Sequence, residues 1–402
     1  MAKILLGMTG SIAAYKTLEL IRILKKDGHD VKVILTSSAL KFVTKTSILA
    51  FGCDAYTDED CYFSPHDIMQ HINLAKWPDL VIIVPLSANT ISKISGGMAN
   101  NLLTATILAT TAKILLVPAM NMEMWNNSIL QENVVKLKNH DYELLGPILG
   151  FQACGDNGLG RMLEPDEIFK YIIHYDLSRQ LSNDLNLENL NVVITLGRTV
   201  EDIDPVRFIS NHSSGKMGLE LAYALSVYGA NVTIIAGNIN VNLPNTIKII
   251  KVTTTDEMYD ASSKLAANTD VFISCAAVVD YKIDNYHNNK IKKSTTTDLS
   301  LRLIKNIDII KTLKENFPQL FVVGFAAETN NCLEYAKNKL ITKNLDMVIA
   351  NDVSNNQVFG SDTTKVVILT ANNSSTITAT EKKSIIAHYI IIAIFNKIGV
   401  MV

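Results

Sequence analysis

The side chains best suited to chemistry fall into two groups, one in each half of the 402-residue chain. In the first half a thiol, Cys154, stands in the glycine-rich run Ala153-Cys154-Gly155-Asp156-Asn157-Gly158-Leu159-Gly160-Arg161-Met162. Inert cysteines belong in apolar elements, so this one is expected to be exposed beside a cavity, where a thiol that is mostly protonated at neutral pH can give up a proton. His71, in His71-Ile72-Asn73-Leu74, is either a proton carrier or an ordinary hydrogen-bonded or surface histidine. Asn121 follows the apolar run Lys113 to Val117 and either meets a ligand or shapes a turn. Met120, Met122 and Met124 suit packing around Trp125.

In the second half the stretch from Asp204 to Gly218 is too polar to be core, yet it leads from an apolar strand, Asn191 to Leu196, into an apolar helix that begins near Gly215 and runs to Tyr228. A loop entering a helix N-terminus is where an α/β domain binds anions. Gly215 and Gly218 let backbone approach a ligand, Ser213 and Ser214 are candidate caps, and Arg207, Asn211 and Lys216 are donors for carboxylate or phosphate. The plain alternative is a capped surface turn. A Walker-type phosphate loop is rejected, because Ser210 stands at the first glycine position and Met217 at the Ser/Thr position. Lys290 to Lys293 is either a solvated charge run or a set of phosphate ligands, and Lys339 and Lys343 share one predicted helix.

The elements that must position these groups follow from pattern. Lys3 to Leu35 reads as strand, glycine turn, helix from Ile12, stop at Gly28, strand. Gly10 and Ser11 in that turn, Thr36 and Ser37 after the second strand, and Ser87 and Asn89 after the run Val81 to Pro85 put small polar groups at carboxyl strand ends. The full dinucleotide fingerprint is absent, since only Gly7 and Gly10 are present. A polar stretch, Ser178 to Asn189, is the candidate linker. A second doubly wound unit then begins at Asn191, giving an α/β fold of two mostly parallel-sheet domains in tandem, residues 1–189 and 190–402.

Hydrophobic content of 48% with 19% charged residues and a net charge of −2 is that of a folded soluble protein, with no call for nucleic acid or an anionic membrane. Five cysteines without a C-x-x-C pair argue for reduced thiols in a cytoplasmic setting. The N-terminal apolar run reads as a strand, with no signal peptide expected, and the apolar run Ile385 to Val402 as a helix or strand docked on the second domain.

The run Asp204-Pro205-Val206-Arg207-Phe208-Ile209-Ser210-Asn211, followed by Ser213-Ser214-Gly215-Lys216-Met217-Gly218, resembles the signature of phosphopantothenate-cysteine ligase. Pro118-Ala119-Met120-Asn121-Met122-Glu123-Met124-Trp125 resembles the Pro-x-Met-Asn-x-x-Met-Trp motif of flavin-containing cysteine decarboxylases. Their catalytic histidine segment, small-residue region and cysteine flap have counterparts at His71, Gly96 to Leu102 and Ala153 to Met162. The chain is thus similar to the bifunctional family that joins the two activities in coenzyme A biosynthesis.

The resemblance implies a first domain that binds FMN through Gly10, Ser11, Thr36, Ser37, Ser87, Asn89 and Ala99, with Met120 and Asn121 on the substrate, His71 managing a proton and Cys154 as proton donor on a mobile flap. It implies a second domain that uses CTP and Mg²⁺ to join 4′-phosphopantothenate to cysteine, with Arg207 on the substrate, Asn211 orienting an acyl-cytidylate and Lys290 near the phosphates. CTP would meet Ser274, Cys275, Ala276, Asp280 and Lys290, then Asn306, Ile307, Asp308, Ile309 and Ile310, then Phe325, Lys339 and Lys343. A trimer-based homo-oligomer is implied, because that decarboxylase family builds its flavin sites at subunit contacts. No metal ligands are identified. Two family prolines are replaced, by Arg198 in Gly197-Arg198-Thr199 and by Ile307 in Asn306-Ile307-Asp308, so altered turn stiffness is expected. A flavin-dependent reductase and a non-catalytic binding subunit are the alternatives; the second would be expected to lack His71 or Cys154, and both are present.

Overall fold

The computed structural model describes residues 1–59, 69–182, 185–292, 299–328, 331–352, 360–371 and 375–399. Cys61, Lys293 and Thr329 lie outside them, as does the end of the C-terminal apolar run. The chain divides into two compact units, Met1–Asp176 and Leu177–Val402.

In the first unit β1 (Lys3–Met8), β2 (Asp30–Leu35), β3 (Asp54–Tyr56), β4 (Leu80–Leu86), β5 (Lys113–Pro118) and β6 (Glu143–Leu144) form a parallel sheet in the order β3-β2-β1-β4-β5-β6. Every residue of β4 is buried, as expected of a parallel strand covered on both faces. The helix Ala14–Lys26 buries Ala14, Thr17, Leu20, Ile21 and Leu24, one stripe at helical spacing, and Gly28 at φ +86° turns the chain into β2. Strand order reverses between β1 and β4, which opens a crevice at the carboxyl ends of the strands. Beside the end of β5 lies an antiparallel hairpin, β7 (Ile148–Phe151) and β8 (Asn157–Arg161), docked by a bond of 2.9 Å from Met120 N–H to the Gly160 carbonyl. A Cβ on Gly160 would stand 2.4 Å from the Met120 oxygen, so only glycine allows that approach.

The second unit holds β9 (Asn191–Leu196), β10 (Val200–Asp202), β11 (Phe208–Ser210), β12 (Asn231–Ala236), β13 (Lys248–Lys251), β14 (Val271–Ser274), β15 (Tyr281–Ile283), β16 (Leu303–Lys305), β17 (Phe321–Glu328), β18 (Met347–Asp352), β19 (Thr363–Thr364), β20 (Val366–Thr370), β21 (Ser375–Ile377) and β22 (Glu381–Lys382). Its main sheet runs β13-β12-β9-β14-β17-β18-β20-β21. The first six strands are parallel and repeat the strand order of the first unit; β20 and β21 add an antiparallel edge. One face is covered by the helices Lys216–Val227 and Lys383–Ile398, through Leu221, Leu225, Ile390 and Phe395. The other is covered by residues such as Met258, Leu313 and Leu340. Both units are doubly wound α/β folds.

Several boundaries differ from the pattern reading. The first helix begins at Ala14 because Ser11 to Ala13 form a turn closed by Ala14 N–H to the Ser11 carbonyl, 3.0 Å. The helix Pro165–Leu181 runs into the stretch expected to be a linker, and Leu185 and Leu187 beyond it are buried, with Leu187 N–H bonded to the Tyr228 carbonyl at 2.8 Å. Two leucines among polar residues are enough to dock that segment. Gly215, at φ +80°, is the N-cap of the helix Lys216–Val227 and has no side chain to cap with, but Ser213 Oγ accepts from Gly215 N–H and Ser214 Oγ from Lys216 N–H, each at 3.4 Å, so the two serines meet amides at the helix entry. The C-terminal run is a helix, and among the described residues no helix is long and apolar enough to cross a membrane.

Candidate functional sites

Each crevice contains a cavity. In the first unit it measures about 880 Å³ and is lined by Gly10 and Ser11 beyond β1, Thr36 and Ser37 beyond β2, and Ser87 and Asn89 beyond β4. Met120 and Asn121 beyond β5, and Cys154 in the hairpin turn, complete that wall. Buried Thr9 ties two of these loops together, donating to the Pro85 carbonyl at 2.7 Å and accepting from Ser87 N–H at 2.8 Å. The helix Ala14–Lys26 points its uncapped N-terminus at the cavity, so amide donors and the positive end of its dipole are available to a phosphate. The groups present fit a flavin mononucleotide: an anion site at one end, hydroxyls along the floor and Met120 and Met124 in the wall.

Asn121, Cys154 and Asp156 meet in one cluster. The Asn121 amide donates to Asp156 Oδ2 at 2.7 Å and lies 3.3 Å from Cys154 Sγ, while the thiol donates to the same Asp156 oxygen at 3.2 Å. Asn121 Oδ1 caps its own helix through Glu123 N–H at 2.8 Å, which fixes the amide with its NH₂ toward the thiol. A second cluster lies on the same wall: Lys16 contacts both oxygens of Glu164 at 2.8 and 2.9 Å, and Arg161 bonds the same carboxylate. Burial resists ionisation of Glu164, but the Lys16 hydrogen bond and both cations hold its carboxyl below the usual range. Lys16 and Arg161 together outweigh that one carboxylate, so the cavity carries a surplus positive charge there. His71, on the helix Gln70–Lys76, and the exposed Ala99 do not line this cavity.

The second cavity, about 510 Å³, gathers segments far apart in sequence. Ser274, Cys275 and Ala276 come from the end of β14 and Asp280 from the loop after it; Asn306 to Ile310 enter a helix, Ile309–Asn316, capped by Asp308. Phe325 of β17 and Lys339 and Lys343 add the next wall, with Lys343 just past the end of the helix Cys332–Thr342. Asn211 lines it too, its amide donating to the Val278 carbonyl at 2.9 Å. Five lysines line the cavity: Lys216, Lys305, Lys339, Lys343 and Lys383. Lys339 donates to the Phe325 carbonyl at 2.6 Å, Lys343 pairs with Asp308 at 2.9 Å, and Lys216 pairs with Asp362 at 2.7 Å. Lys383 is buried, and burial together with the Lys216 charge lowers its pKa. Burial pushes the Cys275 thiol up to about 12 against the opposing Lys383 charge, so it is a protonated wall group and not a nucleophile.

Arg207 and Lys290 do not line this cavity. They are held near one another by Asp204, whose side chain is fully buried. Its Oδ1 accepts from Val206 and Arg207 N–H at 2.8 and 2.9 Å, and its Oδ2 from Ile291 N–H at 3.1 Å. Desolvation works against its ionisation, but those three amides and the Arg207 charge keep its carboxyl below the usual range. Arg207 also donates to the Ile291 carbonyl at 3.1 Å. Among the described residues no group of three or more His, Cys, Asp or Glu side chains is arranged to hold a metal ion.

A family model described as "DNA/pantothenate metabolism flavoprotein C-terminal domain" matches residues 187–398, and one described as "Flavoprotein" matches residues 1–175. The Coenzyme A biosynthesis bifunctional protein CoaBC of Haemophilus influenzae is 49% identical over 362 residues, covering 89% of this chain and 88% of its own. The chain belongs to the CoaBC family. The CoaBC protein of Escherichia coli K12 is 44% identical over 368 residues, covering 90% of this chain and 88% of its own. The crystal structure of the C-terminal domain of a CoaBC protein covers 53% of this chain and 97% of its own, at 32% identity and a TM-score of 0.46. Lys16, Asp156 and Glu164 of this CoaBC-family chain were not singled out from sequence, and nor were Glu201, Lys305 and Lys383. Lys16 carried a usable signal, because it sits one turn into the helix after the Gly10-Ser11 loop and so on the ligand side. The others are ordinary charged residues until the fold brings Lys305 and Lys383 to a wall and sets Asp156, Glu164 and Glu201 against residues that line one.

Proposed function

We propose that this bifunctional enzyme of coenzyme A biosynthesis uses residues 190–402 to join 4′-phosphopantothenate to cysteine with CTP, and residues 1–189 to decarboxylate the product to 4′-phosphopantetheine with FMN. The observation that carries the reading is the pair of cavities at equivalent strand ends, one lined by hydroxyls with a thiol and an asparagine, the other by five lysines.

In the ligase cavity the pantothenate carboxylate attacks the α-phosphate of CTP, giving an acyl-cytidylate and pyrophosphate; the cysteine amine then displaces CMP to form the amide. Mg²⁺ enters with CTP. Lys339 and Lys343 offset the triphosphate charge, and Asn211 orients the acyl group toward the amine. Arg207 and Lys290 belong to this chemistry through the segment that Asp204 pins.

In the decarboxylase cavity the loops at Gly10-Ser11, Thr36-Ser37 and Ser87 to Asn89 would hold FMN, which would supply a reversible hydride acceptor for the cysteine β-carbon as the substrate thiol gives up its proton. Asn121 would hold the carboxylate, which departs as carbon dioxide into the adjacent thioaldehyde and leaves an enethiolate that must gain a proton at carbon. Cys154, donating to Asp156 in the resting state, gives the carbon its proton. Net redox is zero, so no NAD(P)H is consumed. We further propose a cytoplasmic, trimer-based homo-oligomer in which a second copy brings His71 and Ala99 to the cavity that they do not line in their own chain.

A fragment of residues 1–189 tests the assignment. It should purify yellow with one FMN per chain; a folded, colourless fragment that takes up no added FMN would contradict it.

A further inference from the structure

We infer that Asp156 is a positioning residue of the decarboxylase cavity, whose carboxylate fills the Asn121 site in the resting molecule and gives it up when the substrate carboxylate arrives. The inference rests on the proposed role of Asn121 and adds to it a gate on the thiol beside it.

Asn121 has no donor to spare as it stands. Its Oδ1 accepts from Glu123 N–H at 2.8 Å, so the amide nitrogen is the end that faces the hairpin turn. An amide nitrogen carries two protons. One goes to Asp156 Oδ2 at 2.7 Å and the other lies toward Cys154 Sγ at 3.3 Å. Both donors are therefore engaged by the turn that carries the thiol. A substrate carboxylate can be held by Asn121 only after Asp156 has left, because two carboxylates on one amide nitrogen would repel each other at close range.

The turn is fixed at its base and open at its tip. Gln152 is buried, its side chain accepts from Met122 N–H at 3.1 Å, and Gln152 N–H donates to the Asp156 carbonyl at 2.8 Å. Cys154, Gly155 and Asp156 are exposed, and a Cβ on Gly155, at φ +93°, would meet no atom within 4 Å. The Asp156 side chain can therefore swing away without disturbing the core. The same oxygen, Oδ2, accepts the thiol proton at 3.2 Å, so the contact that blocks Asn121 also keeps the Cys154 proton turned away from the empty cavity. Arrival of a carboxylate at Asn121 opens that cluster and frees the thiol for the substrate. The decarboxylated product has no group with which to keep Asp156 off Asn121, so the resting contact returns and favours its release.

The test is calorimetric binding of two ligands to the full-length, FMN-loaded chain. One is the serine amide of 4′-phosphopantothenate, which keeps the carboxylate and lacks the thiol that reacts; the other is the ethanolamine amide, which lacks both. Asp156→Ala should bind the serine amide about tenfold more tightly than the parent, one charge-assisted contact no longer having to be displaced, and the ethanolamine amide equally well. Asp156→Asn, a neutral isostere that keeps an acceptor, should gain less, and it carries the comparison if Asp156→Ala does not fold. In an Asn121→Ala background the gain from Asp156→Ala should vanish, because the two side chains act through one another. A gain that survives there is repulsion of the ligand by the Asp156 charge at a distance and overturns the inference, as does a folded Asp156→Ala that binds the serine amide no more tightly than the parent. If Asp156→Ala and the double variant bind the serine amide alike, Asn121 does not hold the carboxylate, and the reading beneath the inference fails with it.

Discussion

The two units share a strand order and place their cavities at the same strand ends, yet they line them with different chemistry. The first cavity presents Ser, Thr and Asn side chains and an uncapped helix N-terminus, and of its three cations, Lys16, Lys93 and Arg161, Lys16 and Arg161 share Glu164. The second presents five lysines, and the helix beyond its loop starts at Gly215 in a left-handed conformation. A single phosphate is well served by backbone amides and hydroxyls; a triphosphate needs mobile cations in number. The fold supplies the crevice and the side chains select the ligand.

The largest separation between the units should come from the lysines. Lys339→Ala with Lys343→Ala should raise the KM for CTP about a hundredfold, two charge-assisted contacts being lost, while flavin content and decarboxylation of supplied 4′-phospho-N-pantothenoylcysteine stay at parental levels. If both activities fall together, the cavities are not chemically independent.

The thiols sharpen the same contrast. Cys154 is exposed, whereas burial raises the pKa of Cys53 and pushes Cys275 to about 12. The thiolate is the reactive form, and burial holds Cys275 protonated at neutral and mildly alkaline pH. Alkylation followed by peptide mass spectrometry should label Cys154 ahead of both, and Cys275 should respond only as pH climbs toward its raised pKa. Labelling of Cys275 ahead of Cys154 would contradict these assignments.

The smallest effect concerns the replaced proline. Arg198 N–H donates to the Asn238 carbonyl at 3.0 Å, and Asn238 N–H returns a bond to the Arg198 carbonyl at 2.8 Å. Arg198→Pro removes one bond of that pair and should cost about 1 kcal/mol, lowering the Tm of the second unit by about 2–4 °C. An unchanged or higher Tm would show that the rigid turn outweighs the bond.

Both sheets were legible because parallel strands such as β4 and β9 are near-continuous apolar runs, each followed by glycine or small polar residues. The walls built from strand-end loops were legible for the same reason: Gly10, Ser87 and Asn121 follow strands, and Ser274 ends one. What sequence did not show depends on distance in space. Glu201 and Asn306 are 105 residues apart and meet only because β10 passes under the 306 segment. Lys16 and Glu164 are 148 residues apart. His71, Arg207 and Lys290 suggested themselves by residue type and Ala99 by resemblance, and a single chain does not bring any of them to either cavity. Leu185 and Leu187 were hidden among polar neighbours, so a docked segment read as a linker.

The claim that one chain carries two separable reactions is tested most directly by Cys154→Ser. Serine keeps the shape of the side chain and is a far weaker acid. Given 4′-phosphopantothenate, cysteine, CTP and Mg²⁺, the variant should consume CTP at the parental rate and release carbon dioxide in a single turnover. It should then stop at the oxidised enethiol product, seen by mass spectrometry as 4′-phosphopantetheine lacking two hydrogens. Fully reduced 4′-phosphopantetheine formed at the parental rate would contradict the account, and so would a ligase rate that falls in step with the decarboxylase.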